Sequence, residues 1–221
     1  EMGMMSQKNL TALEIKQLIA SNKLSVTEYA QSCLDIIRDI EPRVHAWKYF
    51  NEDLFMEQAK RLQSEAESGK ETGGLHGIPV GIKDIFNTAD MPTCMGSPIW
   101  EGFTPGNDAR VVASLRDEGS IIAGKTVTAE FAVNHAGPTR NPRDAERITG
   151  TSSSGSAVAV ATGMVPLALG TQTSGSTIRP ASYCGIYGFK PSFGIIPRTG
   201  ILKTLDTLDH VSLFSRSPED L

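Results

Sequence analysis

One lysine at the end of an apolar run and two downstream stretches of serine and glycine are the residues of this 221-residue chain that could act together in chemistry. Lys83 closes Gly77-Ile-Pro-Val-Gly-Ile-Lys83-Asp84, and the two stretches are Gly150-Thr-Ser-Ser-Ser-Gly-Ser156 and Gly170-Thr-Gln-Thr-Ser-Gly-Ser176. A serine hydroxyl is a poor nucleophile at neutral pH and needs an adjacent base. Lysine serves as that base only when neutral, and bringing its pKa from about 10.4 to about 7 implies roughly 4 to 5 kcal/mol of bias against the charged form. Desolvation supplies such a bias, and residues 78–82 ahead of Lys83 are distinctly apolar. Lys8, Lys16, Lys60 and Lys70 lack that setting and are expected in solvent. Ser176 follows Gln172-Thr-Ser-Gly175, small residues expected to turn tightly. Backbone N–H groups exposed in such a turn can hold the negative oxygen of a tetrahedral intermediate.

Histidine is not the expected base. His45, His76, His135 and His210 lie in no nucleophile context, and no serine occupies a G-x-S-x-G elbow, so all four are read as structural or surface residues. Gly119-Ser-Ile-Ile-Ala-Gly124-Lys125-Thr126 fits the phosphate-loop pattern GxxxxGK[ST]. That motif needs a strand before it and a loop within it. Here a helix is expected to end at residues 116–118, and Ile121-Ile122 inside the motif reads as the strand itself, so nucleotide binding is set aside.

The elements that must position these residues come in two parts. Residues 1–72 read as a helical region packing on a core formed by residues 73–221. Thr11-Ala-Leu-Glu14 and Ser25-Val-Thr-Glu28 have the spacing of capping boxes. Leu13, Leu18 and Ile19, then Tyr29, Cys33, Ile36, Ile37 and Ile40, repeat at helical intervals. Pro42 is expected to stop the second helix, and residues 53–67 to form a third, ending at Gly69. Residues 1–5 are left out of the fold reading. Further on, residues 78–85 and 120–123 read as short buried strands, residues 165–169 and 186–190 as further strands, and residues 111–118 and 157–162 as helices. This alternation predicts an α/β fold with a largely buried sheet.

Composition narrows the function. A net charge of −4 gives no reason to expect a nucleic-acid partner. No run of 18 apolar residues predicts a membrane span. Cys33, Cys94 and Cys184 neither pair off evenly nor form a CxxC, and they fit a reducing cytoplasm.

At this point the chain resembles the amidase signature family, on Gly77-Ile-Pro-Val-Gly-Ile-Lys83-Asp, Thr139-Arg-Asn-Pro142, Gly150-Thr-Ser152-Ser-Ser-Gly-Ser-Ala157, Gly170-Thr-Gln-Thr-Ser-Gly-Ser176 and Cys184-Gly-Ile-Tyr-Gly-Phe-Lys190-Pro. The resemblance covers about residues 75–221. It implies a mixed central β-sheet sandwiched between helices, with Lys83 as base, Ser176 as nucleophile and Ser152 as the bridging serine on a cis peptide. Ser153 and Ser154 stand one and two residues away and compete for the bridging position. The oxyanion donors map to the backbone N–H groups of Thr173, Ser174, Gly175 and Ser176. The activity so implied is hydrolysis of a small-molecule carboxylic amide to acid plus ammonia or amine, through a serine acyl-enzyme and with no metal or organic cofactor. The alternative is a catalytically incompetent fragment or binding module that keeps the fold.

The sequence departs from that family at two points. Many members carry Asp-Thr-Gly-Gly-Ser where this chain has Gln172-Thr-Ser-Gly-Ser176, and an arginine commonly two residues past the nucleophile is Ile178 here, with Arg179 next. Both departures point away from the tRNA-linked amidotransferase subunit. Family members also continue past Leu221, so an N-terminal portion is expected, with the sheet incomplete on its C-terminal side. Exposed apolar surface there would favour a homo-oligomer or association with a C-terminal portion. Trp100 and Phe103 are expected to pack as an aromatic pair.

Overall fold

A computed structural model describes residues 8–70, 72–133 and 135–221, so residues 1–5, set aside above, lie outside the described part. The chain opens with α1 (Ala12–Ala20) and α2 (Val26–Val44). Both expected capping boxes form: Thr11 and Ser25 accept from the amides of Glu14 and Glu28, whose carboxylates reach back to the cap amides. Such caps contribute about 1 kcal/mol each by satisfying amides that have no partner in the helix. Pro42 lies inside α2 rather than ending it. A proline this close to the C-terminus removes only one helical N–H bond, and the chain leaves the helix at His45, whose φ is 52°.

The N-terminal region also contributes a strand, which its helical pattern does not reveal. The Glu41 carboxylate accepts from the amides of Ala46 and Trp47 at 2.9 and 3.0 Å. It thereby turns the chain from α2 into β1 (Trp47–Phe50). Then follow α3 (Glu52–Glu67), β2 (Pro79–Lys83), α4 (Arg110–Asp117) and β3 (Ile121–Thr126). After them come α5 (Ser154–Ala161), β4 (Leu167–Gln172), α6 (Ile178–Cys184), β5 (Tyr187–Phe189) and β6 (His210–Ser215).

Among the described residues the strands form one six-stranded mixed sheet in the order β1-β3-β2-β4-β6-β5. Strands β3, β2 and β4 run parallel, and β1, β6 and β5 are antiparallel to their neighbours. Beside β1 the Gln58 side chain extends the edge pairing, accepting from the Ile122 amide and donating to the Ile122 carbonyl, both at 3.1 Å.

Side chains alternate between the faces of a sheet, so each strand supplies two cores. Ile121, Ala123, Ala168 and Phe214 join one cluster with the buried faces of α2, α3 and α5. Ile122, Leu169 and Val211 join the other, with Val112 of α4 and the loop residues Ile85, Phe86 and Met91. All five residues of β2 are buried, as the central strand between two parallel neighbours requires. Helix α5 lies so close to the β3 exit that a Cβ on Gly155 would sit 2.3 Å from both Ala46 O and Val127 N. At the far edge Tyr187, Phe189, Phe193 and Ile195 are exposed.

Candidate active site

The parallel strands deliver the site. Lys83 is the last residue of β2, and Thr171 and Gln172 end the adjacent parallel strand β4. Both therefore emerge at the carboxyl end of the sheet, where open α/β folds place their ligand crevices. The Ser/Gly turns follow from the same geometry: residues 150–153 enter α5, and residues 173–176 leave β4.

Lys83 is fully buried, with Nζ 2.7 Å from Ser152 Oγ and 2.8 Å from Thr171 Oγ1. No carboxylate forms an ion pair with it among the described residues. Burial pulls its pKa down to about 7, while the more distant Asp209 carboxylate pulls the other way. Of the three consecutive serines, Ser152 is the one beside Lys83, and it follows a cis peptide bond from Thr151. Ser153 turns its hydroxyl to the backbone of Thr171, and its amide donates to Ser176 O at 3.3 Å. Ser154 Oγ points to Val127 O at 3.5 Å.

Ser176 is almost buried and lines one cavity together with Ser152, Thr171, Thr173 and Asp209. Arg198 and residues 201–204 line it as well. The amides of Thr173, Ser174, Gly175 and Ser176 donate to no acceptor among the described residues. The next two amides are occupied: Gln172 Oε1 accepts from Thr177 N and Ile178 N, both at 3.0 Å. Gln172, a departure from the family pattern, thus caps α6, and Arg179 Nε donates to Thr151 O at 3.2 Å.

Lys125, from the phosphate-loop pattern, is not available to a nucleotide. It is buried in β3, where its Nζ donates to Thr93 Oγ1 at 2.7 Å and Pro92 O at 3.0 Å and lies 3.4 Å from Asp84. Burial lowers the Lys125 pKa to about 8 and raises that of Asp84, each partner opposing the other's shift. Among the histidines, His76 is buried, His45 caps α2 and His135 is exposed. His210, read as structural or surface, proves to line the cavity, with Nδ1 2.6 Å from Leu208 O. Trp100 and Phe103 pack edge to face, with ring centroids 5.0 Å apart.

Sequence reasoning missed Thr171, Asp209 and His210. Thr171 and Asp209 are single polar residues whose meaning comes from strand register, since Gln172 pairs with His210 across β4 and β6.

A sheet of this order, with a buried lysine against serine-bearing turns, has clear relatives. The amidase family model matches residues 28–221, and the chain belongs to the amidase family. A glutamyl-tRNA(Gln) amidotransferase subunit from Acidothermus cellulolyticus is 42% identical over 216 residues, covering 95% of this chain and 43% of that protein. The corresponding protein from Thermobifida fusca is 41% identical over 217 residues, covering 96% of this chain and 44% of that protein. The crystal structure of native peptide amidase from Stenotrophomonas maltophilia superposes with a TM-score of 0.91 at 34% identity, covering 96% of this chain and 46% of that one. The chain therefore spans less than half the length of these relatives. The substitutions at Gln172 and Ile178, taken above to point away from the tRNA-linked amidotransferase, do not separate the chain from it in overall similarity.

Proposed function

We propose that this chain carries the serine-acylating machinery of an amide hydrolase, with Ser176 as nucleophile, Ser152 as relay and Lys83 as base. The observation that carries the reading is the buried Lys83 amine, 2.7 Å from Ser152 Oγ, with Ser152 and Ser176 lining the same cavity. An amine whose pKa lies near 7 is substantially neutral at physiological pH, so its lone pair can accept the Ser152 hydroxyl proton. Ser152 in turn accepts the proton of Ser176 as Ser176 Oγ bonds to the amide carbon. The oxygen then takes the negative charge, facing the free amides of residues 173–176, and each such donor typically contributes about 3 to 4 kcal/mol to the transition state. Collapse breaks the C–N bond, and the proton returns along Ser152 to the leaving nitrogen. Water then attacks the ester carbon by the same relay and releases the acid.

The names of the relatives, a peptide amidase and an amidotransferase, support an amide as the substrate class. In this reading residues 73–221 bear the chemistry, and α1, α2, α3 and β1 ahead of them pack against that core. Exposed Tyr187, Phe189, Phe193 and Ile195 support association of the β5 edge with further protein. Ammonia release from simple carboxamides tests the activity. Ser176→Ala and Lys83→Ala should each lower the rate by at least about 10³-fold while keeping the fold, and a Ser176→Ala protein with undiminished release would refute the assignment.

A further inference from the structure

We propose that Asp209 is a positioning residue for this site, its carboxylate tying the turn of residues 173–176 to the loop of residues 201–205 beside the same cavity. The inference rests on the roles given above to Lys83, Ser152 and Ser176. Asp209 immediately precedes β6, and the pairing of His210 with Gln172 brings it alongside Thr173. Its Oδ1 accepts from Thr173 Oγ1 at 2.5 Å and from Thr204 Oγ1 at 3.1 Å. Its Oδ2 accepts from Thr204 N at 2.7 Å and Leu205 N at 3.0 Å. Four donors from three residues converge on the carboxylate of Asp209, a residue only 7% exposed. Both oxygens are engaged, so Asp209 is a clamp rather than a proton acceptor for substrate.

The clamp acts on the first residue of the amide-bearing turn. The other end of that turn is held by Gln172 Oε1 on Thr177 and Ile178. Residues 173–176 are thus pinned at both ends, which fixes the turn that carries their free amides before any substrate enters. Burial pushes the Asp209 carboxyl up, but hydrogen bonds from Thr173, Leu205 and Thr204 outweigh it and hold the group below the usual range. The resulting fixed negative charge favours protonated Lys83. The other charged or titratable groups facing the cavity are Arg198, Lys203 and His210, and the Lys125–Asp84 pair lies on the β3 side of Lys83.

The test compares Asp209→Asn, Asp209→Ala and Thr173→Val by two readouts: the pH dependence of fluorophosphonate labelling at Ser176, and the side-chain NMR titration of Lys83. Asparagine keeps an oxygen acceptor and loses the charge. It should hold the labelling plateau within about tenfold and move the Lys83 midpoint to lower pH. Asp209→Ala, or Thr173→Val where the alanine variant does not fold, cuts the tie and should lower the plateau by about 10²-fold, the scale of a small misplacement at a reacting centre. A plateau unchanged in both tie-cutting variants overturns the inference, whatever the titration shows. Wild-type protein that takes no label overturns the role of Ser176 instead. Amide exchange of residues 173–176 then decides the positioning claim: faster exchange in Asp209→Ala but not Asp209→Asn supports it, and equal exchange refutes it.

Discussion

Replacing Lys83 with methionine should change stability in a way that depends steeply on pH. In the unfolded chain the lysine has its ordinary pKa of 10.5, and in the fold the value falls to about 7. Between those values the unfolded state binds more protons than the folded one, so the wild-type protein gains stability as pH rises. Below about pH 7 the full penalty of a buried ammonium applies, about 5 kcal/mol for a shift of this size. It shrinks as the pH climbs toward the unfolded value. Lys83→Met removes the titration and keeps the bulk of the chain, but it leaves the Ser152 and Thr171 hydroxyls without their amine partner at a cost of about 1 to 3 kcal/mol. The variant should therefore match or exceed wild type near pH 7 and fall behind at high pH. The stability difference should change by about 3 kcal/mol between about pH 7 and about pH 9.5. Urea unfolding of the two proteins across that range measures it, and other titrations common to both largely cancel. A difference independent of pH would refute the assignment of Lys83 as a neutral buried amine, and so would one that moves in favour of the variant.

Other outcomes follow from the same geometry. Gly155→Ala should destabilise by about 1 to 3 kcal/mol, because its methyl would overlap the Ala46 and Val127 backbone, and thermal unfolding reads this directly. Asp84→Ala should lose about 3 to 5 kcal/mol by leaving Lys125 buried without its partner, and Asp84→Ala combined with Lys125→Met should recover most of it in denaturant titration. Thr171→Val removes one of the two hydroxyls holding Lys83 Nζ and should slow Ser176 labelling about five- to tenfold without lowering its final extent. A Thr171→Val protein labelled at the wild-type rate would show that this contact does not orient the amine.

Local signals made the central strand, the capped helices and the serine turns legible in the sequence. The apolar run before Lys83 announces burial because only the middle strand of a parallel set is covered on both faces. Thr11 and Ser25 declare their helices because a capping box is complete within four residues. What stayed hidden depends on distant partners. Strand β1 exists because Glu41 turns the chain and β3 offers an edge, and α6 starts where it does because Gln172 satisfies the amides of Thr177 and Ile178. Pro42 reads as a stop, although the helix ends at the left-handed His45. Asp209 carries no signal in Leu205-Asp-Thr-Leu-Asp209 until β6 pairs with β4 and sets it against Thr173.

The central claim is that Ser176 is activated through Ser152 by a neutral Lys83, and fluorophosphonate labelling across pH with intact-mass and peptide mapping tests it most directly. The account predicts a single adduct on Ser176, forming faster as pH rises through about 7 in step with loss of the Lys83 proton. It also predicts no adduct in Ser176→Ala and a large loss of rate in Lys83→Ala. A folded protein that takes no label, or takes it on another residue, would contradict the account, as would Lys83→Ala labelled at the wild-type rate.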